Sequence, residues 1–106
     1  MRPARVEILY FDGCPGHQRM LPQVRRLAAE VGADIELRRV DTPEAAEAER
    51  FLGSPTVRVD GRDVDPGAAE RSDYGLKCRI YRSAQLGQSA VPPEEWIRAA
   101  LRSPPC

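Results

Sequence analysis

Two stretches of strand character separated by one amphipathic helix fill the first forty residues, and that order leaves few folds open. Arg5–Phe11 is β-rich and ends in an apolar run, as a central strand does. Asp12-Gly13-Cys14-Pro15-Gly16 reads as a turn, and Pro15 suits a first helical position, where its missing N–H has no intrahelical partner. Beyond it Met20, Leu21, Val24, Leu27, Ala28 and Val31 form an apolar stripe, and Gly32 is a natural stop. Pro22 lies inside that span and is expected to kink the helix. Asp34–Val40 reads as a second strand, with Ile35 and Leu37 on one face. Strands joined through a helix run parallel, with a right-handed crossover.

The rest of the chain supplies an antiparallel half. Thr42-Pro43-Glu44 is a helix start, with a hydroxyl cap, a first-turn proline and an early acid, and the short helix is expected to end near Leu52-Gly53. Ser54-Pro55-Thr56 leads into Val57–Val59, then Asp60-Gly61, then Arg62–Val64, a strong hairpin signal. Asp65–Lys77 is polar and turn-rich and predicts no regular element; Cys78–Tyr81 reads as a further short strand. Pro93–Leu101 is a closing amphipathic helix, with Trp96, Ile97, Ala100 and Leu101 facing inward, and residues 102–106 are expected to fray. The prediction is one α/β domain spanning 1–106. Its order is β-α-β-α-β-β-α, a mixed four-stranded sheet with helices on both faces.

Composition narrows the function classes. A chain of 106 residues supports one modest core. Sixteen basic side chains balance sixteen acidic ones, which gives no electrostatic reason to expect nucleic acid or an anionic membrane as partner. No apolar run approaches the roughly eighteen residues of a membrane span. The N-terminal residues lack the apolar core of a signal peptide, and three cysteines, an odd number, fit a disulfide scaffold poorly. A cytoplasmic setting, where thiols are kept reduced, is the expectation.

The chemistry centres on cysteine. Cys14 falls at the end of the first strand and the N-cap of the first helix, where free N–H groups and the helix dipole favour thiolate over thiol. His17 lies one turn on and reaches the same sulfur, either lowering its pKa as imidazolium or acting as a general base. The surrounding Asp12, Gly13, Pro15 and Gly16 are turn residues, so an exposed sulfur is expected there. Cys78 has two readings: Leu76 and Ile80 suggest a buried structural thiol, whereas Lys77 and Arg79 would stabilise the thiolate of an exposed one. Cys106 reads as an exposed terminal thiol without a role, or as a resolving thiol carried on a tail. A zinc site built from Cys14, His17, Cys78 and Cys106 is disfavoured, because two of those ligands are isolated and one is terminal. No metal or organic cofactor is expected.

Tyr10-Phe11-Asp12-Gly13-Cys14-Pro15-Gly16-His17 resembles the active-site turn of the thioredoxin and glutaredoxin superfamily, in which a strand runs into Cys-x-x-Cys at a helix start. Pro22 is similar to the helix-kinking proline of thioredoxins. Gly53-Ser54-Pro55-Thr56-Val57 resembles that family's cis-proline segment ahead of the third strand. The resemblance covers residues 5–65 and implies a thioredoxin-like fold. It also implies a cis Ser54–Pro55 bond facing Cys14 and a substrate surface of Asp12, Pro15, Ser54, Pro55 and Thr56, with Ser54 offering backbone groups to a bound thiol or disulfide. It departs from the family at the second cysteine, which is His17 here, so a mixed disulfide cannot be resolved within the motif. Three routes remain: a monothiol cycle resolved by a small thiol co-substrate, a resolving cysteine from elsewhere, or no redox turnover. The expectation is a monothiol thiol–disulfide oxidoreductase acting on a protein or small-molecule partner through Cys14, His17 and Cys78. Phe11–Pro15 and Gly75–Arg79 also look like small bacterial proteins related to the organomercurial lyases. That resemblance implies an alternative, a binder of soft metal or organomercurial through Cys14 and Cys78. A non-catalytic interaction module is a third.

Overall fold

A computed structural model describes residues 4–13, 16–84 and 86–102. Strand β1 (Arg5–Tyr10), helix α1 (Gly16–Val31) and strand β2 (Asp34–Arg39) open the chain, followed by helix α2 (Pro43–Ala48) and strands β3 (Thr56–Val59) and β4 (Arg62–Asp63). Four of these form one mixed sheet in the order β2-β1-β3-β4. β1 runs parallel to β2 and antiparallel to β3, and β3 runs antiparallel to β4. A one-turn 3₁₀ helix (Ala68–Glu70), a small hairpin of β5 (Tyr81–Ser83) and β6 (Gly87–Ser89), and helix α3 (Glu94–Arg102) complete it. The sequence does not signal that hairpin, which replaces the strand expected over Cys78–Tyr81.

Alternation along β1 divides the core. Val6 and Ile8 face one way and pack with Met20, Val24 and Leu27 of α1, Val57 and Val59 of β3, and Ile97 of α3. Leu9 faces the other way and packs with Val40, Phe51 and Ala46 of α2. Helices therefore lie on both faces. α1 and α3 are tied along their exposed sides by Arg26–Glu94 at 2.6 Å and Arg98–Glu30 at 3.1 Å. Trp96, Ala100 and Leu101 pack half-buried around Ile97.

Element ends follow capping chemistry. Helix α1 runs unbroken through Pro22 and stops at Gly32, whose φ of 69° lets the Ala33 N–H reach the Ala28 carbonyl at 2.9 Å. Val31, the last residue of the expected stripe, is 52% exposed. Thr42 caps α2 by accepting from the Ala45 N–H at 3.0 Å, and Pro43 follows it. That helix ends sooner than Leu52-Gly53. Arg50 adopts the left-handed conformation, φ 54°, the Phe51 N–H returns to the Ala46 carbonyl at 2.8 Å, and Arg58 donates to the Glu49 and Arg50 carbonyls. An arginine thus takes the stop position in which glycine is usually sought. In the β3–β4 hairpin Asp60 and Gly61 both have positive φ, 51° and 85°, matching a type I′ turn. Leu37 is 45% exposed because β2 is an edge strand.

Candidate functional site

The Leu9–Thr56 pair sets the geometry. β1 ends one residue later, so the chain leaves β1 for the Asp12-Gly13 turn at the level of Pro55. The Ser54–Pro55 bond is cis, and Ser54, Pro55 and Thr56 are all buried. Asp12 is exposed and pairs with Arg39 at 2.8 Å. His17, in the first turn of α1, lies half-buried with its ring stacked on Tyr10, centroids 4.2 Å apart and planes 19° apart. Cys14, Pro15 and Cys106 lie outside the described residues.

Both main-chain groups of Ser54, which the resemblance assigns to a bound substrate, are engaged within the chain. Its N–H donates to the Lys77 carbonyl at 2.8 Å and its carbonyl accepts from the Arg79 N–H at 2.9 Å, which sets Cys78 beside Ser54 as a parallel bridge. Gly53 permits this approach. Its φ is 124°, and a Cβ there would stand 3.0 Å from both the Arg79 Cβ and the Lys77 carbonyl oxygen. The Gly75 N–H donates to the Phe51 carbonyl at 3.0 Å and holds the incoming segment. A segment far along the sequence is therefore laid on the cis-proline loop.

Side-chain facing in that segment inverts the buried reading of Cys78. Cys78 is exposed and Ile80 is 56% exposed, while Arg79 and Tyr81 point inward. Arg79, only 2% exposed, sets this register. Its guanidinium donates to Asp63 at 2.8 and 3.1 Å, to Asp65 at 3.2 Å and to Thr56 Oγ1 at 3.2 Å. It also stacks 4.4 Å above the Tyr81 ring. Burial works against its charge, but Tyr81, Asp63 and Asp65 outweigh that and hold it above the usual arginine range. Tyr81 Oη in turn donates to the Pro55 carbonyl, and burial pushes this phenol's pKa upward. Thr56 Oγ1 donates to the Gly53 carbonyl at 2.6 Å. Through Arg79 and Tyr81, Cys78 is fixed relative to Pro55. An outward-facing Ile80 costs less than an outward-facing Arg79 with two half-buried carboxylates left behind.

Cys78 is half of a disulfide. Lys77 and Arg79, expected to attract a thiolate, serve other partners: Lys77 shares Asp73 with Arg71 at 2.8 and 2.7 Å, and Arg79 faces the Asp63–Asp65 pair. Sequence reading overlooked Asp63, Asp65, Arg79 and Tyr81 as a unit. The available signal was two aspartates at i, i+2 at the end of the β3–β4 hairpin, with one arginine among apolar neighbours. Among the described residues, no group of three or more His, Cys, Asp or Glu side chains is placed to hold a metal, and no helix is long and apolar enough to cross a membrane. Comparison with known proteins yields no match, whether to a family model, a curated protein or a solved structure.

Proposed function

We propose that the protein is a thioredoxin-like thiol–disulfide oxidoreductase in which Cys14 attacks and Cys78 is its intramolecular partner. The observation that carries this reading is the disulfide at an exposed Cys78 held beside the cis Ser54–Pro55 bond. The element order, the cis proline ahead of β3, and the exit of β1 at the level of Pro55 support the thioredoxin-like assignment. Of the three routes open to a Cys-x-x-His turn, the disulfide favours a resolving cysteine from elsewhere over a purely monothiol cycle.

In the reducing direction the Cys14 thiolate attacks one sulfur of a substrate disulfide, forming a mixed disulfide and expelling the other sulfur as thiolate. The Cys78 thiolate then attacks Cys14 Sγ, forms the internal disulfide and releases the second substrate sulfur. Two electrons pass to the substrate, the two expelled thiolates take protons from solvent, and an external thiol resets the protein. His17, one turn into α1, tunes the Cys14 pKa, and its stack on Tyr10 fixes the plane of its ring.

Non-reducing peptide mapping of the unaltered chain tests the pairing, and exchange with 5,5′-dithiobis(2-nitrobenzoate) on a Cys106→Ser background tests the chemistry. The expected result is a Cys14–Cys78 crosslink, two thionitrobenzoates released per reduced protein, and stable labelling of Cys14 in Cys78→Ser. A Cys78–Cys106 crosslink in the unaltered chain, or a Cys14 that alkylates no faster than an unstructured thiol, overturns it.

A further inference from the structure

A cavity of about 520 Å³ opens beside Cys78. Its volume is that of a small-molecule site and not of a protein groove. Its wall carries Arg71, Lys77, Arg79 and Arg82 against one carboxylate, Asp65, with Leu52 and Ile80 as apolar surface. The cations are incompletely neutralised. Arg71 and Lys77 share the single carboxylate of Asp73, which they hold well below its usual pKa, the Arg71 hydrogen bonds contributing most. Arg82 is exposed and has no ion-pair partner among the described residues. Arg79, its side chain fully buried, faces both Asp63 and Asp65 and adds no uncompensated charge. An excess of positive charge therefore surrounds a sulfur already engaged in a disulfide.

We infer that this cavity receives the external reductant, and that the reductant is a small thiol bearing a carboxylate. The inference rests on the redox reading above and names the substrate of its resetting half. The bound thiolate attacks Cys78 Sγ, forming a mixed disulfide at Cys78 and expelling Cys14 as thiolate. A second thiolate attacks the external sulfur, frees Cys78 as thiolate and leaves as the small-molecule disulfide. Two small thiols are oxidised for each internal disulfide reduced, and the two protons they shed end on the protein thiols or in solvent. Cationic walls raise the local concentration of an anion, whereas they do nothing for a neutral thiol. Apolar surface at Leu52 and Ile80 receives the methylene body.

The test compares reduction of the oxidised full-length protein by mercaptoacetate, 2-mercaptoethanol and cysteamine. Rates are compared per thiolate and corrected for thiol basicity, with acid quenching and mass spectrometry as readout. The expected order is mercaptoacetate fastest, roughly tenfold over 2-mercaptoethanol at low salt, and cysteamine slowest. The advantage is expected to collapse in about 1 M salt, and in Arg82→Glu with its fold verified by circular dichroism, while the trapped adduct sits on Cys78. Equal corrected rates, an unchanged preference in both Arg82→Glu and Arg82→Ala, or an adduct on Cys14 overturns this inference and leaves the redox reading standing. Absence of an internal disulfide at Cys78 overturns both.

Discussion

Arg79→Ala is the substitution with the largest expected consequence outside the apolar core. It removes a fully buried guanidinium from Asp63, bound at 2.8 and 3.1 Å, from Asp65 at 3.2 Å and from Thr56 at 3.2 Å. Both carboxylates stay behind, with side chains only 12% and 17% exposed. Removing one partner of a buried charge pair costs about 3–5 kcal/mol, because the desolvated charge left behind has no compensation. For a domain with total stability of about 5–15 kcal/mol this is a large fraction, and it lowers Tm by roughly 15–25 °C. Chemical denaturation of the oxidised protein measures the loss directly. Asp63→Asn on the Arg79→Ala background is expected to recover about 1–2 kcal/mol, since it removes one stranded charge. Arg79→Met keeps most of the volume and separates the charge from the packing. The same variants are expected to move the equilibrium between Cys78 disulfide and thiol in a thiol buffer towards thiol, because Arg79 fixes the segment against Ser54. A loss below about 1 kcal/mol for Arg79→Ala, with no recovery in the double variant, refutes the network.

Gly53→Ala forces a Cβ to 3.0 Å from two atoms of the 77–79 segment at φ 124°. The expected cost is about 1–3 kcal/mol, with easier reduction of the Cys78 disulfide, and an unchanged redox equilibrium argues against the packed loop. Thr42→Ala removes the hydroxyl that accepts from the Ala45 N–H and is expected to cost about 1 kcal/mol by urea titration without touching thiol reactivity. Asp73 is held below its ordinary pKa by hydrogen bonds from Arg71 and then Lys77. A depressed carboxylate contributes stability that is present above its unfolded pKa of about 3.9 and is lost as pH falls through the lower folded value. Asp73→Asn is therefore expected to be less stable than the parent at about pH 7, with the gap closing on acidification towards about pH 2; a constant gap in denaturant titrations contradicts this.

Local rules made the regular elements readable. The β-rich run Arg5–Phe11, the stripe from Met20 to Val31, the Thr42-Pro43 cap and the Asp60-Gly61 turn each depend on interactions within a few residues. Errors arose where a distant partner decides. Helix α2 stops early because Arg58, on β3, reaches the Glu49 and Arg50 carbonyls. The facing of Cys78–Tyr81 follows hydropathy only if Ile80 outranks Arg79. The reverse holds, since Asp63 at the end of β4 and Asp65 just past it both bind the Arg79 guanidinium. The β5–β6 hairpin carries Gly87-Gln88-Ser89 on one strand, which has no apolar period to detect.

The candidate site divides along the same line. Pro55 was legible because a proline ahead of a strand is a local landmark. Cys78 was ambiguous, because a cysteine between apolar neighbours reads as core until something else claims the inward positions. Two main-chain hydrogen bonds to Ser54 and one buried guanidinium make that claim. They leave the sulfur of residue 78 outward and beside the cis-proline loop, with Arg79 and Tyr81 rooted behind it in β4 and Pro55. A charged network that contributes little net stability relative to an apolar core still dictates which face of a short segment is presented. Here the presented face carries the sulfur of Cys78. Replacing the network with apolar residues of equal volume is therefore expected to preserve the fold better than it preserves the redox behaviour of Cys78.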